Sequence, residues 1–147
     1  MNIEDLYLII LDKLNAIPDI LWADQNIGQL DVEGRPAVPF PCALISIDMP
    51  QIDDLGNGIQ KCRTQIGIRL GFDYKGSTAA KSPGAVKARA LDYYRIIREV
   101  YKALNGYNEP GLSRLKRNSQ VEAARPDQIK ILDMGFYCEI LDKSAIT

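Results

Sequence analysis

Ile59-Gln-Lys-Cys-Arg-Thr-Gln-Ile-Gly-Ile-Arg-Leu-Gly-Phe-Asp73 is the stretch that decides how this chain folds. Its residues alternate. Cys62, Thr64, Ile66, Ile68, Leu70 and Phe72 fall on one side of an extended backbone, and Lys61, Arg63, Gln65, Gly67, Arg69 and Gly71 on the other. Period-two alternation of this kind predicts a long strand with one face on a core and one face wetter, the pattern of an antiparallel sheet.

Just upstream, Cys42-Ala-Leu-Ile-Ser-Ile-Asp48 reads as a second strand, entered through Pro36, Pro39 and Pro41, which cost no central ladder bond there. Its closeness in sequence predicts an antiparallel hairpin with the long strand. Between them, Met49-Pro-Gln-Ile-Asp-Asp-Leu-Gly-Asn-Gly58 reads as a turn-rich connection. It is longer than the two-residue turn that would suffice. It also carries Ile52 and Leu55, which an inert solvated loop has no reason to hold. Ile52, Asp53, Asp54 and Leu55 are therefore candidates for an assembly surface; the alternative is that Ile52 and Leu55 fold back onto the core. On the loop reading, replacing Gln51–Asn57 with a short turn should leave stability almost unchanged.

Further upstream, Ile20–Asp24 predicts a short strand. Residues 3–17 predict a helix, with Ile3, Leu6, Ile10, Leu14 and Ile17 at three- and four-residue steps and Pro18 as its stop. Leu6–Leu11 is apolar around the whole helix circumference, so this helix must be covered on more than one side, by sheet and loops of the same chain or by another subunit.

Downstream, Tyr74–Lys81 reads as a loop. Ser82 as N-cap and Pro83 at the first position open a helix reaching about Asn105. Val86, Ala90, Tyr93, Ile97, Val100 and Leu104 line its buried side, Arg95, Arg98, Glu99 and Lys102 its solvent side, and Gly106 follows its end. Residues 115–124 predict a weaker strand and Arg125-Pro126-Asp127 a turn. Ile129–Leu141 is the last strand, with Leu132, Met134, Phe136, Cys138 and Ile140 on one face and a bulge at Met134-Gly135. The order α-β-β-β-α-β-β gives an α+β fold, a mainly antiparallel sheet of four to five strands packed with two helices, in a single domain spanning residues 1–147.

The 147 residues include 18 basic and 19 acidic side chains, a net charge of −1. That balance argues against a protein that grips nucleic acid by bulk electrostatics. No apolar run approaches the length needed to span a bilayer, and the first helix carries Glu4, Asp5, Asp12 and Lys13 without a basic leader, so no membrane role and no signal peptide are expected. The chain reads as made in a cytoplasm. Cys42, Cys62 and Cys138 are far apart, lack metal-ligand spacing, and read as small buried hydrophobes.

With no histidine, Ser–His–Asp, Cys–His and HExxH chemistry is ruled out, and neither GxxxxGK[ST] nor GxGxxG occurs. Carboxylates remain. Asp73-Tyr74-Lys75 has the D-x-K spacing of metal-dependent nucleases, with Asp48 on the preceding strand, but the hairpin sends Asp48 and Asp73 to opposite ends of the long strand, tens of ångströms apart at about 3.3 Å per residue. Asp53 and Asp54 are adjacent, yet a turn also favours Asp for its own hydrogen bonds. No catalytic residue, cofactor or metal is expected. Lys61, Arg63 and Arg69 share the wetter face and are either a partner surface or a solvated sheet face.

Four stretches carry a resemblance. They are the N-terminal apolar helix; Leu21-Trp-Ala-Asp-Gln-Asn-Ile-Gly-Gln-Leu-Asp31 leading into Arg35–Ile47; the strand Ile59–Asp73 ahead of an amphipathic helix; and the closing strand Ile129–Leu141. Together they resemble the tail-terminator, or tail-completion, proteins of long-tailed phages, the second stretch looking like versions from prophage regions of Bacteroidetes-type bacteria. The resemblance covers nearly the whole chain and brings no catalytic motif. It implies a structural virion protein that assembles with itself into a ring, a hexamer in this family, caps the head-proximal end of the tail tube and docks to the head connector. The competing readings are a head–tail connector or neck subunit, a small metal-dependent nuclease, and a binding module with no virion role.

Overall fold

The computed structural model describes residues 1–73, 79, 81–125 and 127–146. The first helix, α1 (Ile3–Asn15), starts at a reciprocal cap: the Asn2 side chain accepts from the Asp5 N–H at 2.9 Å and the Asp5 carboxylate accepts from the Asn2 N–H at 3.0 Å. Leu6, Ile10 and Leu14 are fully buried at four-residue steps, while Ile3 and Leu8 are about half exposed. The monomer's own core therefore buries that stripe and partly covers Tyr7 and Leu11, leaving Leu8 as the exposed residue of the apolar run Leu6–Leu11.

The strands are β1 (Trp22–Gln25), β2 (Cys42–Gly56), β3 (Ile59–Asp73), β4 (Lys116–Ala124) and β5 (Ile129–Asp142), in the sheet order β1-β2-β3-β5-β4. β1 pairs with β2 in parallel and every other pair is antiparallel. Between β3 and β4 lie α2 (Gly84–Ala90) and α3 (Asp92–Leu104). The expected α+β architecture and element order hold, with the second helix interrupted at Leu91. It begins one residue later than expected, since the Pro83 carbonyl accepts the first helical bond, from Lys87. β1 begins two residues later than expected, at Trp22. The loop expected over Tyr74–Lys81 lies outside the described residues except for Ala79 and Lys81, as does Pro126 in the expected turn.

The segment Met49–Gly58 is not a loop. β2 continues through it, with Gln51, Ile52, Asp53 and Asp54 opposite Arg63, Cys62, Lys61 and Gln60. The reversal is confined to Asn57 and Gly58, both at positive φ (55° and 74°), the conformation of a tight hairpin turn. A register shift between Asp48 and Gln51 puts Met49-Pro50 into a bulge. That bulge breaks the alternation and hides the strand from a periodicity reading. Ile52 and Leu55 do not fold back onto the core; they are 47% and 57% exposed. Replacing Gln51–Asn57 would remove ladder rungs along β3, so the expectation that this segment is dispensable for stability is withdrawn.

The sheet face toward the helices is the main core. Ala43 and Ile45 of β2, Ile66, Ile68, Leu70 and Phe72 of β3, and Leu132, Met134, Phe136, Cys138 and Ile140 of β5 pack there against Leu6, Ile10 and Leu14 of α1 and Tyr93, Ile97, Val100 and Leu104 of α3. Thr64 is the one buried polar residue on this face among the described residues, and its hydroxyl donates to the Cys62 carbonyl at 3.1 Å. The opposite face is covered at one end: the segment between β1 and β2 lays Leu30, Val38 and Phe40 over Cys42, Leu44, Ile129 and Ile131. Cys42, Cys62 and Cys138 are all buried and unbridged, and burial pushes the Cys42 and Cys138 thiols up to about 11.

The bulge expected at Met134-Gly135 lies on the neighbouring strand. β5 runs along β3 without interruption, and the irregularity is on β4 between Arg117 and Ser119, opposite Phe136 and Gly135. Gly135 has a separate cause. A Cβ there would stand 2.2 Å from Ser119 Oγ, 2.8 Å from Gln65 Nε2 and 2.9 Å from Asn118 Oδ1. Gln65 and Asn118 join their amides across this glycine by two hydrogen bonds of 3.0 and 3.1 Å. Gly135→Ala is therefore expected to force that pair apart and cost about 1–3 kcal/mol, on the scale of overpacking. Urea denaturation of the two proteins measures it.

Candidate assembly surface

Beyond the covered end, the sheet face away from the helices is open and polar, and its register sorts the charges into rows. Asp48, Gln65, Tyr137 and Lys116 occupy one row; Gln51, Arg63 and Glu139 the next; Asp53, Lys61 and Leu141 the last before the hairpin tip. In these rows Lys61 Nζ lies 3.3 Å from Glu139 and an Arg63 Nη 3.9 Å from Asp53. Arg63 also donates to the Gln51 side chain at 3.2 Å, while its Nε is buried without a partner. The Tyr137 hydroxyl donates to Glu139 at 2.9 Å. That bond, followed by the attraction of Lys61 and Arg63, holds the Glu139 carboxyl below its ordinary range.

A carboxylate depressed in the folded state adds stability above its unfolded pKa, and the contribution disappears as pH falls through the folded value. Tyr137→Phe removes the leading cause. Its deficit in urea midpoint against the parent is expected to be present at pH 7 and to shrink as pH drops below the ordinary glutamate range. A deficit independent of pH would assign Tyr137 to packing alone.

Of the sequence candidates, Ile52, Asp53, Asp54, Leu55, Lys61 and Arg63 come together at the hairpin end of the sheet. Asp54 is exposed, and its carboxylate accepts from the Gly56 N–H at 2.9 Å, the turn-type bond that competes with any ligand role. Arg69 does not join them. It shares the face of Asp53, Lys61 and Arg63 but lies six residues along β3 from Arg63, about 20 Å at strand spacing. It is forked onto Asp133 at 2.8 and 3.2 Å and reaches Asp31 at 2.8 Å. With Arg125, which donates to the carbonyls of Leu30, Val32 and Gly34, it straps the segment between β1 and β2 over the sheet. Arg69 is thus committed within the chain.

The feature that sequence reasoning missed is an edge. β1 pairs only with Cys42–Ile45, so β2 from Ser46 to Gly56 has β3 on one side and no strand on the other among the described residues. A groove of about 370 Å³ opens where β1 ends, between Ile3 and Tyr7 of α1 and Ile47 of β2. Exposed apolar side chains lie along the same edge: Trp22 on β1 and Ile52 and Leu55 on β2. The available signal was Ile52 and Leu55 recurring among acids, which identified the residues but not the backbone that carries them.

As for chemistry, Asp48 stands opposite Gln65, eight residues along β3 from Asp73, about 26 Å. Asp73 forms an ion pair of 2.6 Å with Arg35. Tyr74 and Lys75 of the D-x-K spacing lie outside the described residues. Among the described residues no three His, Cys, Asp or Glu side chains converge as a metal site, and no helix is long and apolar enough to cross a membrane.

No family model and no curated protein matches the sequence. Among solved structures, the fold is similar to that of a chain in the virion of a native gene transfer agent particle, with a TM-score of 0.53 and 14% identity over 93% of this chain and 95% of that one. At that identity the likeness is one of fold.

Proposed function

We propose that this chain is a structural protein of a phage-like virion that closes into a ring, caps the head-proximal end of a tail tube and docks to the head connector. The observation that carries the reading is the likeness of fold, over nearly the full length of both chains, to a protein of the gene transfer agent virion. The four stretches that resemble tail-terminator proteins give the finer assignment, including the hexameric ring and its place in the virion after synthesis in the host cytoplasm. A ring needs a heterologous contact that repeats at a fixed rotation and closes. The uncovered side of α1 and the open edge of β2 offer surface for it. The work is done by binding, and the reading requires no catalytic step, cofactor or metal.

Polymerising the tail-tube protein with and without this chain tests the assignment. The expected result is that tube growth stops and electron microscopy shows a ring on one tube end, while filled heads without tails bind nothing. Tubes that grow unchanged while the protein binds filled heads would replace the terminator with a connector.

A further inference from the structure

The ring reading leaves open how one copy recognises the next, and the two edges of the sheet address that question. We propose, resting on that reading, that the ring closes by strand addition: β4 of one copy pairs antiparallel with the open half of β2 in its neighbour. Three independent features support it.

The first is availability and length. Four of the 15 residues of β2 pair with β1, and the Asn26 N–H still donates to the Ile45 carbonyl at 2.8 Å before the chain turns away. Ser46–Gly56 is then open. At the other end of the sheet order, β4 has β5 on one side and no strand on the other. Its nine residues fit within the open run of β2. An unpaired edge presents a row of backbone donors and acceptors to another chain. Pro50 sits in the bulge of β2, where it removes one donor, so the added strand forms rungs on either side of it. On β4, the Arg117 N–H is taken by the Asn105 side chain at 2.9 Å, so new rungs begin at Asn118.

The second is direction. β2 and β5 both run antiparallel to β3, and β4 runs antiparallel to β5, so β4 runs opposite to β2. Rotation about an axis along the strands keeps these directions. The neighbour's β4 thus arrives antiparallel to β2, with its start beside the hairpin tip.

The third is charge. β2 contains Asp48, Asp53 and Asp54 and no lysine or arginine. The start of β4 and the residues before it carry Arg114, Lys116 and Arg117. Arg114 and Lys116 are exposed and have no ion-pair partner among the described residues. Antiparallel pairing brings this basic end against Asp53 and Asp54. A contact between complementary edges of one sheet is heterologous, the type that closes rings.

The test uses the purified full chain. Association is measured by sedimentation over a concentration series, alone and with tube ends, with circular dichroism as a check on folding. Asp53→Lys with Asp54→Lys, and separately Arg114→Glu with Lys116→Glu, are expected to weaken association at least about tenfold. All four substitutions in one chain should restore most of it, because each interface again joins opposite charges. Hydrogen exchange on the unaltered protein gives a readout that needs no variant: the amides of 46–56 and 118–124 should gain protection together on assembly. Variants that associate like the parent, a fourfold variant that stays weak, or protection of 46–56 without 118–124 would each overturn the edge pairing while leaving the ring intact. A parent chain that stays monomeric even on tube ends would overturn the ring reading along with it.

Discussion

Phe136→Ala is expected to destabilise the fold by about 3–5 kcal/mol, the range for removing a large aromatic from a packed core. Phe136 is fully buried on β5, directly across from Ile66, on the face that meets the helices. Phe136 and Ile66 sit on β5 and β3, strands held on both sides within the sheet, so the site collapses poorly. A small domain holds only about 5–15 kcal/mol in all. The variant should therefore unfold at a far lower urea concentration, with its slope unchanged if the denatured state is the same. A loss under about 1 kcal/mol would mean that the helix face of the sheet is not the core that organises the molecule.

The second large effect is on association. Ile52→Ser combined with Leu55→Ser is expected to leave the melting temperature close to that of the parent, because these side chains are 47% and 57% exposed and bury little in the monomer. The same variant should lose at least about tenfold in self-association, since two apolar side chains leaving water at a contact contribute more than one tenfold step. Two point changes test this more cleanly than removing Gln51–Asn57, which would take rungs of the β2–β3 ladder with it. A variant that is clearly destabilised yet assembles normally would show that Ile52 and Leu55 serve the fold and not the contact.

How much of this was legible in the sequence depended on whether a residue's role was periodic. The alternation of Ile59–Asp73 and the three- and four-residue spacing from Ala90 to Leu104 reflect burial against one partner layer, and the elements appear close to where those patterns put them, whereas Val86, expected on the buried side, is 40% exposed on α2 ahead of the break at Leu91. Cys42, Cys62 and Cys138 behaved as small hydrophobes in strands for the same reason. The distal half of β2 was illegible because the bulge at Met49-Pro50 shifts the period and the face beyond it is not buried, so Gln-Ile-Asp-Asp-Leu reads as turn chemistry. The Gly56-Asn57-Gly58 reversal was visible, but its reach was not. Gly135 suggested a bulge, which lies instead on the strand opposite it. Arg69 illustrates the remaining gap: its face was predictable from alternation, whereas its partners, Asp31 and Asp133, come from a distant segment and a distant strand. Sequence placed the candidate residues, and only the fold shows that six of them share one end of an open sheet while the seventh holds a strap.

On the proposed function, this chain acts by closing on itself at a fixed number of copies. Mass measurement by light scattering after size exclusion, over a concentration series with and without tail-tube ends, tests it most directly. The expected result is a shift from monomer to one discrete closed species that stops growing, at six copies if the tail-terminator resemblance holds in full. A strict monomer under both conditions, or open-ended growth without a limiting mass, would contradict it.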